Sequence, residues 1–151
     1  SVLASDFDKP VGLVITSPPY PNAYEYWLYH KYRMWWLGFD PIQVRTFEIG
    51  ARPHYQKKNG QTEEDFRKQM SSVFDLLSDV LLSGGHVCFV VGRSVIKGKI
   101  VDNAELIRNV AENHKMVLVA NIEREIAATN KSFNLKYGKI KTENILIFRK
   151  D

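Results

Sequence analysis

Cysteine is almost missing from this sequence: Cys88 stands alone among 151 residues. No internal disulfide can form, so a hydrophobic core must hold the fold, and a reducing cytoplasm is the expected setting. Histidine is scarce as well, and four scattered histidines with one cysteine give no metal-ligand spacing, so no metal is expected. No apolar run approaches the roughly 20 residues of a membrane-spanning helix, and no signal-peptide pattern is present. Internal repeats and low-complexity stretches are also lacking. Neither sign of charge dominates: 21 Lys+Arg against 17 Asp+Glu leave +4, mild support for a polyanionic partner.

What is present suits one domain across residues 1–151, with 44% hydrophobic and 25% charged residues. Residues 13–16 read as a short buried strand, and 23–37 as an aromatic-rich helix. Residues 39–61 hold Pro41, Gly50, Pro53 and Gly60 without periodicity and read mostly as loop. Thr62 then caps a strong helix with Glu63, Glu64 and Asp65 in its first turn. Its apolar face is Phe66, Met70, Val73, Phe74, Leu77, Val80 and Leu81. Gly84-Gly85 reads as the stop of that helix. A buried strand follows at 86–91, then a helix capped by Asp102, with Leu106, Ile107, Val110 and Ala111 on one side. Strands at 116–122 and 144–148 end the chain without an intervening helix. The pattern predicts an α/β fold whose sheet closes in a hairpin.

The most informative segment is Ser17-Pro18-Pro19-Tyr20, directly after the strand at 13–16. Two prolines fix φ and donate no backbone N–H, so the corner is stiff and turns its carbonyls outward. A hydroxyl lies on one side and a flat aromatic on the other. Such a corner suits a planar ring bearing an amine, with oxygens accepting from the –NH2 and the tyrosine against the ring face. The plain alternative is a rigid loop after a strand.

Thr16-Ser17-Pro18-Pro19-Tyr20 resembles the catalytic motif of the amino-methylating DNA methyltransferases, which modify cytosine N4 or adenine N6. The segment 84–92 is similar to the next core strand of that family, and 139–150 to its last. The resemblance implies a Rossmann-like methyltransferase fold, in its C-terminal catalytic half, with a mixed sheet and a terminal antiparallel hairpin. It implies S-adenosylmethionine as cofactor, DNA as partner and a setting such as bacterial restriction–modification. It makes Ser17, Pro18, Pro19 and Tyr20 catalytic, with Thr16 and Ser17 bordering the cofactor. The Ser form of the motif leans toward cytosine N4. Adenine N6 and RNA guanine N2 remain alternative targets, and protein glutamine a more distant one. Hydrogen bonds from the amine to Ser17 Oγ and the Pro18 carbonyl would draw its nitrogen toward attack-ready geometry, while Tyr20 stacks on the flipped base. Cytosine C5 chemistry needs a thiolate, and the only candidate, Cys88, sits inside a strand.

The family's glycine-rich cofactor turn is missing. The resemblance therefore implies that the cofactor half lies on another segment or subunit, that the isolated piece self-associates or docks with a partner chain, or that the chain is a non-catalytic DNA-binding or assembly module. For DNA contacts, Arg52, His54, Tyr55, Lys57 and Lys58 mix base and aromatic in one loop, and Lys131 and Lys141 belong to a later basic stretch. Each of these has an equally plain reading as a solvated surface. Arg93 and Ser94, which close a strand, are candidates to face the substrate. Tyr24, Tyr26, Trp27, Tyr29 and Tyr32 either stack on nucleic acid or, the simpler expectation, pack their helix into the core.

Overall fold

The chain runs β1 (Val11–Thr16), α1 (Tyr26–Tyr29), α2 (Lys31–Trp36), α3 (Pro41–Phe47), α4 (Arg52–Gln56), α5 (Glu63–Val80), β2 (Leu81–Gly92), β3 (Ser94–Ile96), β4 (Lys99–Val101), α6 (Asn103–Asn113), β5 (Met116–Glu125) and β6 (Thr142–Lys150). This is a computed structural model, and residues 4–125 and 142–151 are described. The sheet order is β1-β2-β6-β5; β1 is parallel to β2, and β6 is antiparallel to both of its neighbours. A separate two-stranded ribbon pairs β3 with β4. The mixed sheet with its closing hairpin is therefore present. None of the described helices is long and apolar enough to cross a membrane.

Local chemistry explains the two long helices. The Asp65 carboxylate accepts from the Thr62 backbone N–H at 2.7 Å and from its hydroxyl at 3.0 Å, closing the first turn of α5. These hydrogen bonds to Thr62 hold Asp65 below the usual carboxylate range. At the far end the Lys150 ammonium donates to the carbonyls of Ser78 and Leu81, groups a helix C-terminus leaves unsatisfied. In α6 the Asp102 side chain accepts from the N–H groups of Ala104 and Glu105, both at 3.1 Å.

Helices α5 and α6 pack against one face of the sheet. Phe66, Met70, Phe74 and Leu77 from α5 and Leu106, Ile107 and Val110 from α6 meet Val87, Phe89, Val91, Leu146 and Phe148. Phe74 sits at the centre, with its ring 5.3 Å from Phe89 and 6.0 Å from Phe148.

The opposite face is bare among the described residues. Ile15, Cys88 and Ile147 form one row across three strands by register. Leu13 is 58% and Ile15 70% exposed. Thus the strand expected to be buried is an edge strand with one open face.

Other expectations are also corrected. The helix expected over 23–37 breaks at His30 into α1 and α2, and Tyr24, Tyr26, Tyr29, Tyr32 and Trp35 are exposed rather than packed into the core. Only Trp27 turns partly inward, under the Arg45 guanidinium at 5.3 Å. The segment expected as loop contains α3 and α4. Asp40 caps α3 by accepting from the Ile42 N–H at 2.8 Å, with Pro41 in its first turn. Gly84-Gly85 does not end α5, which stops at Val80 because Leu81 turns extended and joins the sheet opposite Val11. The register then jumps to Leu13 opposite His86, leaving 82–85 as a bulge in β2. A Cβ on Gly85 would lie 2.8 Å from the Leu82 carbonyl oxygen, so only glycine fits.

Because Phe74 is wholly buried at the junction of both helices and the sheet, Phe74→Ala is expected to cost about 3–5 kcal/mol in urea unfolding. A loss below about 1 kcal/mol would show that this packing does not hold the core together.

Candidate active site

The end of β1 places the corner. Thr16 lies opposite Phe89 in the parallel pairing, so residues 17–20 leave the sheet beside the end of β2. The Ser17 hydroxyl donates to the Val90 carbonyl at 3.2 Å. Its single proton is thus engaged, and its lone pairs remain able to accept from an incoming N–H. The chain then turns tightly, with the Ala23 N–H donating to the Tyr20 carbonyl at 3.2 Å and the Asn22 N–H to the Gly50 carbonyl at 2.9 Å. Gly50 has φ 76 and abuts this turn; a Cβ there would sit 3.1 Å from the Tyr20 carbonyl oxygen.

Tyr20 is held by partners far away in sequence. Its hydroxyl donates to Glu143 Oε1 at 3.0 Å, with the Val90 carbonyl 3.5 Å away. Arg124 donates to Glu143 Oε2 through Nη2 at 2.6 Å and Nε at 3.1 Å. The Glu143 side chain is only 15% exposed, so its charge needs these partners. Burial, and then the charge and hydrogen bond of Glu143, push the Tyr20 phenol up to about 12. Tyr20 is therefore a neutral, oriented ring at physiological pH. Glu143 and Arg124 were not among the residues singled out from sequence. Only strand register brings them here, and 123 positions separate Glu143 from Tyr20.

The remaining candidates separate into two groups. Arg52 turns inward: its guanidinium donates to the Ala23 carbonyl at 2.6 Å and so braces the corner loop. Tyr55 is 3% exposed and belongs to the core, and burial raises its phenol well above the ordinary range. His54 is half-buried, with its backbone carbonyl accepting from the Gln61 N–H at 2.8 Å. Lys57 and Lys58 are exposed and line an open cavity that also includes Asn22. Lys131 and Lys141 lie outside the described residues. Arg93 is exposed beside Asp102 at 4.0 Å. Ser94 is 4% exposed and donates to Asn103 Oδ1 at 3.2 Å, tying the start of β3 to α6, while Asn103 Nδ2 donates to the Gly92 carbonyl at the end of β2.

S-adenosylmethionine needs a pocket for a sulfonium cation and an adenosine. Of two cavities, about 310 and 350 Å³, the first is lined by Arg93, Arg108, Asp102, Glu105 and Glu123 and the second by Lys57, Lys58 and Lys97. The second, with three lysines and no carboxylate among the described residues, does not suit a cation. Neither of these two cavities is lined by Thr16, Ser17 or Tyr20.

Residues 11–151 match the N6/N4 methyltransferase family, described as DNA methylase. No curated protein sequence matches the chain. Among solved structures, a candidate DNA modification methylase from Thermus thermophilus superposes with a TM-score of 0.58 at 18% identity, covering 97% of this chain and 49% of that one. The same protein complexed with S-adenosyl-L-methionine gives a TM-score of 0.56 at 20% identity, covering 97% of this chain and 51% of that one. These likenesses establish the Rossmann-like methyltransferase fold. The chain spans about half the length of the structures it matches.

The Tyr20 arrangement has a direct spectroscopic consequence. With ring-labelled tyrosine, Tyr20 is expected to titrate near 12, and Glu143→Gln to lower that value while leaving it above 10, because burial is the larger cause. The neutral phenol favours the fold, so its contribution is complete below pH 10 and is lost as the pH climbs through about 12. An unchanged titration in the variant would remove Glu143 from the assembly.

Proposed function

The chain belongs to the N6/N4 DNA methylase family, and from that premise we propose that it forms the acceptor-binding half of a DNA amino-methyltransferase acting at cytosine N4. The observation that carries this reading is the Ser17 hydroxyl, donating to Val90 and left with its lone pairs for an amine. S-adenosylmethionine would supply the methyl group as an electrophile. The residues of this chain prepare the nucleophile. Ser17 Oγ and the Pro18 carbonyl accept hydrogen bonds from the two amine N–H groups, which localises the nitrogen lone pair and aims it away from the ring. Pro18 and Pro19 keep those acceptors from relaxing. The Tyr20 ring, fixed through its hydroxyl, stacks on the base once it has left the duplex. The serine in front of the prolines supports cytosine N4 over adenine N6. The single cysteine supports a cytoplasmic setting.

A donor half on another segment or chain completes the reading. It is supported by the distance of both cavities' linings from the corner residues and, among the described residues, by the unpaired edge of β1 and the bare face around Leu13 and Ile15. That neither cavity borders the corner also favours a second reading, in which the chain acts alone as a non-catalytic DNA-binding module. Methyl transfer by the purified chain alone would end that second reading.

With the donor half present, Tyr20→Ala is expected to lower radiolabelled methyl transfer to DNA at least tenfold, and Ser17→Ala to slow it as well. Wild-type rates in both variants would dismiss the corner as the site. In sedimentation velocity the chain alone is expected to self-associate as concentration rises. A clean monomer throughout would contradict the need for a covering partner.

A further inference from the structure

We propose that the cleft between α4 and the β3–β4 turn binds the phosphodiester backbone beside the target base, with Lys97 as its anchor. This rests on the DNA reading above and joins Lys97, which the sequence did not single out, to Lys57 and Lys58, which it did. The cleft, about 350 Å³, brings together Asn22, Gln56, Lys57, Lys58, Lys97 and Gly98, and among the described residues no carboxylate lines it. The other cavity differs: there Arg93 and Arg108 are matched by Asp102, Glu105 and Glu123, so it has no preference for an anion. Three ammonium groups in one open cleft without a lining carboxylate suit a chain of phosphates.

Two further features fix the cleft relative to the corner. Asn22, two positions past Tyr20, donates from Nδ2 to the Val95 carbonyl at 2.8 Å, joining the catalytic loop to β3. The turn between Ile96 and Lys99 has φ 49 at Lys97 and φ 81 at Gly98. Such two-residue turns favour asparagine or glycine at the first position, so a lysine there is held at a conformational cost. Its ammonium donates to the Gly60 carbonyl at 3.2 Å, which sets it over the cleft with N–H groups to spare. A strand seated on Lys57, Lys58 and Lys97 would pass the corner at a fixed offset, and a flipped base would reach Ser17 and Tyr20.

The test is fluorescence anisotropy of a labelled oligonucleotide duplex with the chain across a chloride series. Wild-type affinity should fall steeply with salt. Lys97→Glu should weaken binding and reduce the slope of log K against log salt by about 0.9 for each phosphate no longer neutralised. Lys58→Glu should do the same, guarding against a folding defect in the turn. Lys115→Glu, just before β5 at the opposite end of the sheet, should change little. If the wild type binds and all three variants match it, the cleft is wrong while the DNA reading stands. If the wild type binds no DNA at any salt, both fall. Displacement by inorganic phosphate beyond the effect of chloride at equal ionic strength would mark a small-anion site and overturn the proposal.

Discussion

The parallel pairing of β1 with β2 is the constraint on which the rest of the site depends. It sets Thr16 opposite Phe89, and so delivers the rigid corner to the Val90 carbonyl, within reach of both Ser17 and Tyr20. The next ladder extends the effect: Gly92 opposes Glu143, and Glu143 in turn opposes Arg124. Tyr20, Glu143 and Arg124 therefore line up because of sheet register. A slip of one residue would send Glu143 to the other face and leave the tyrosine hydroxyl without its acceptor.

That dependence explains what could be read from the sequence. The long helices were legible because Phe66, Met70, Phe74 and Leu77 repeat at helical spacing behind an acidic first turn. The corner was legible because its four residues are contiguous. Glu143 and Arg124 were not, since nothing local marks a glutamate on a terminal strand as the partner of a tyrosine 123 positions away. The Asp40-Pro41 start of α3 was hidden by the prolines and glycines around it. The aromatic segment misled for another reason. Tyr29, Tyr32 and Trp35 have the composition of a core, but each stays more than half exposed. Composition records what a side chain would bury, and the partner that buries it must come from elsewhere.

These features describe one division of labour. The described residues supply a stiff hydrogen-bond acceptor, an oriented aromatic and a cationic cleft, all suited to a nucleobase and its backbone. In the proposed reading, the methyl donor is held by another segment or chain. Among the described residues one sheet face is bare and the β1 edge is unpaired, and the chain spans about half the length of the solved structures it matches.

The measurement that tests this account most directly is a calorimetric titration of S-adenosylmethionine into the chain alone. The account predicts no binding in the micromolar range, because the acceptor half does not enclose the donor. Micromolar binding with a stoichiometry of one would contradict it, since a complete donor pocket would then exist within this chain.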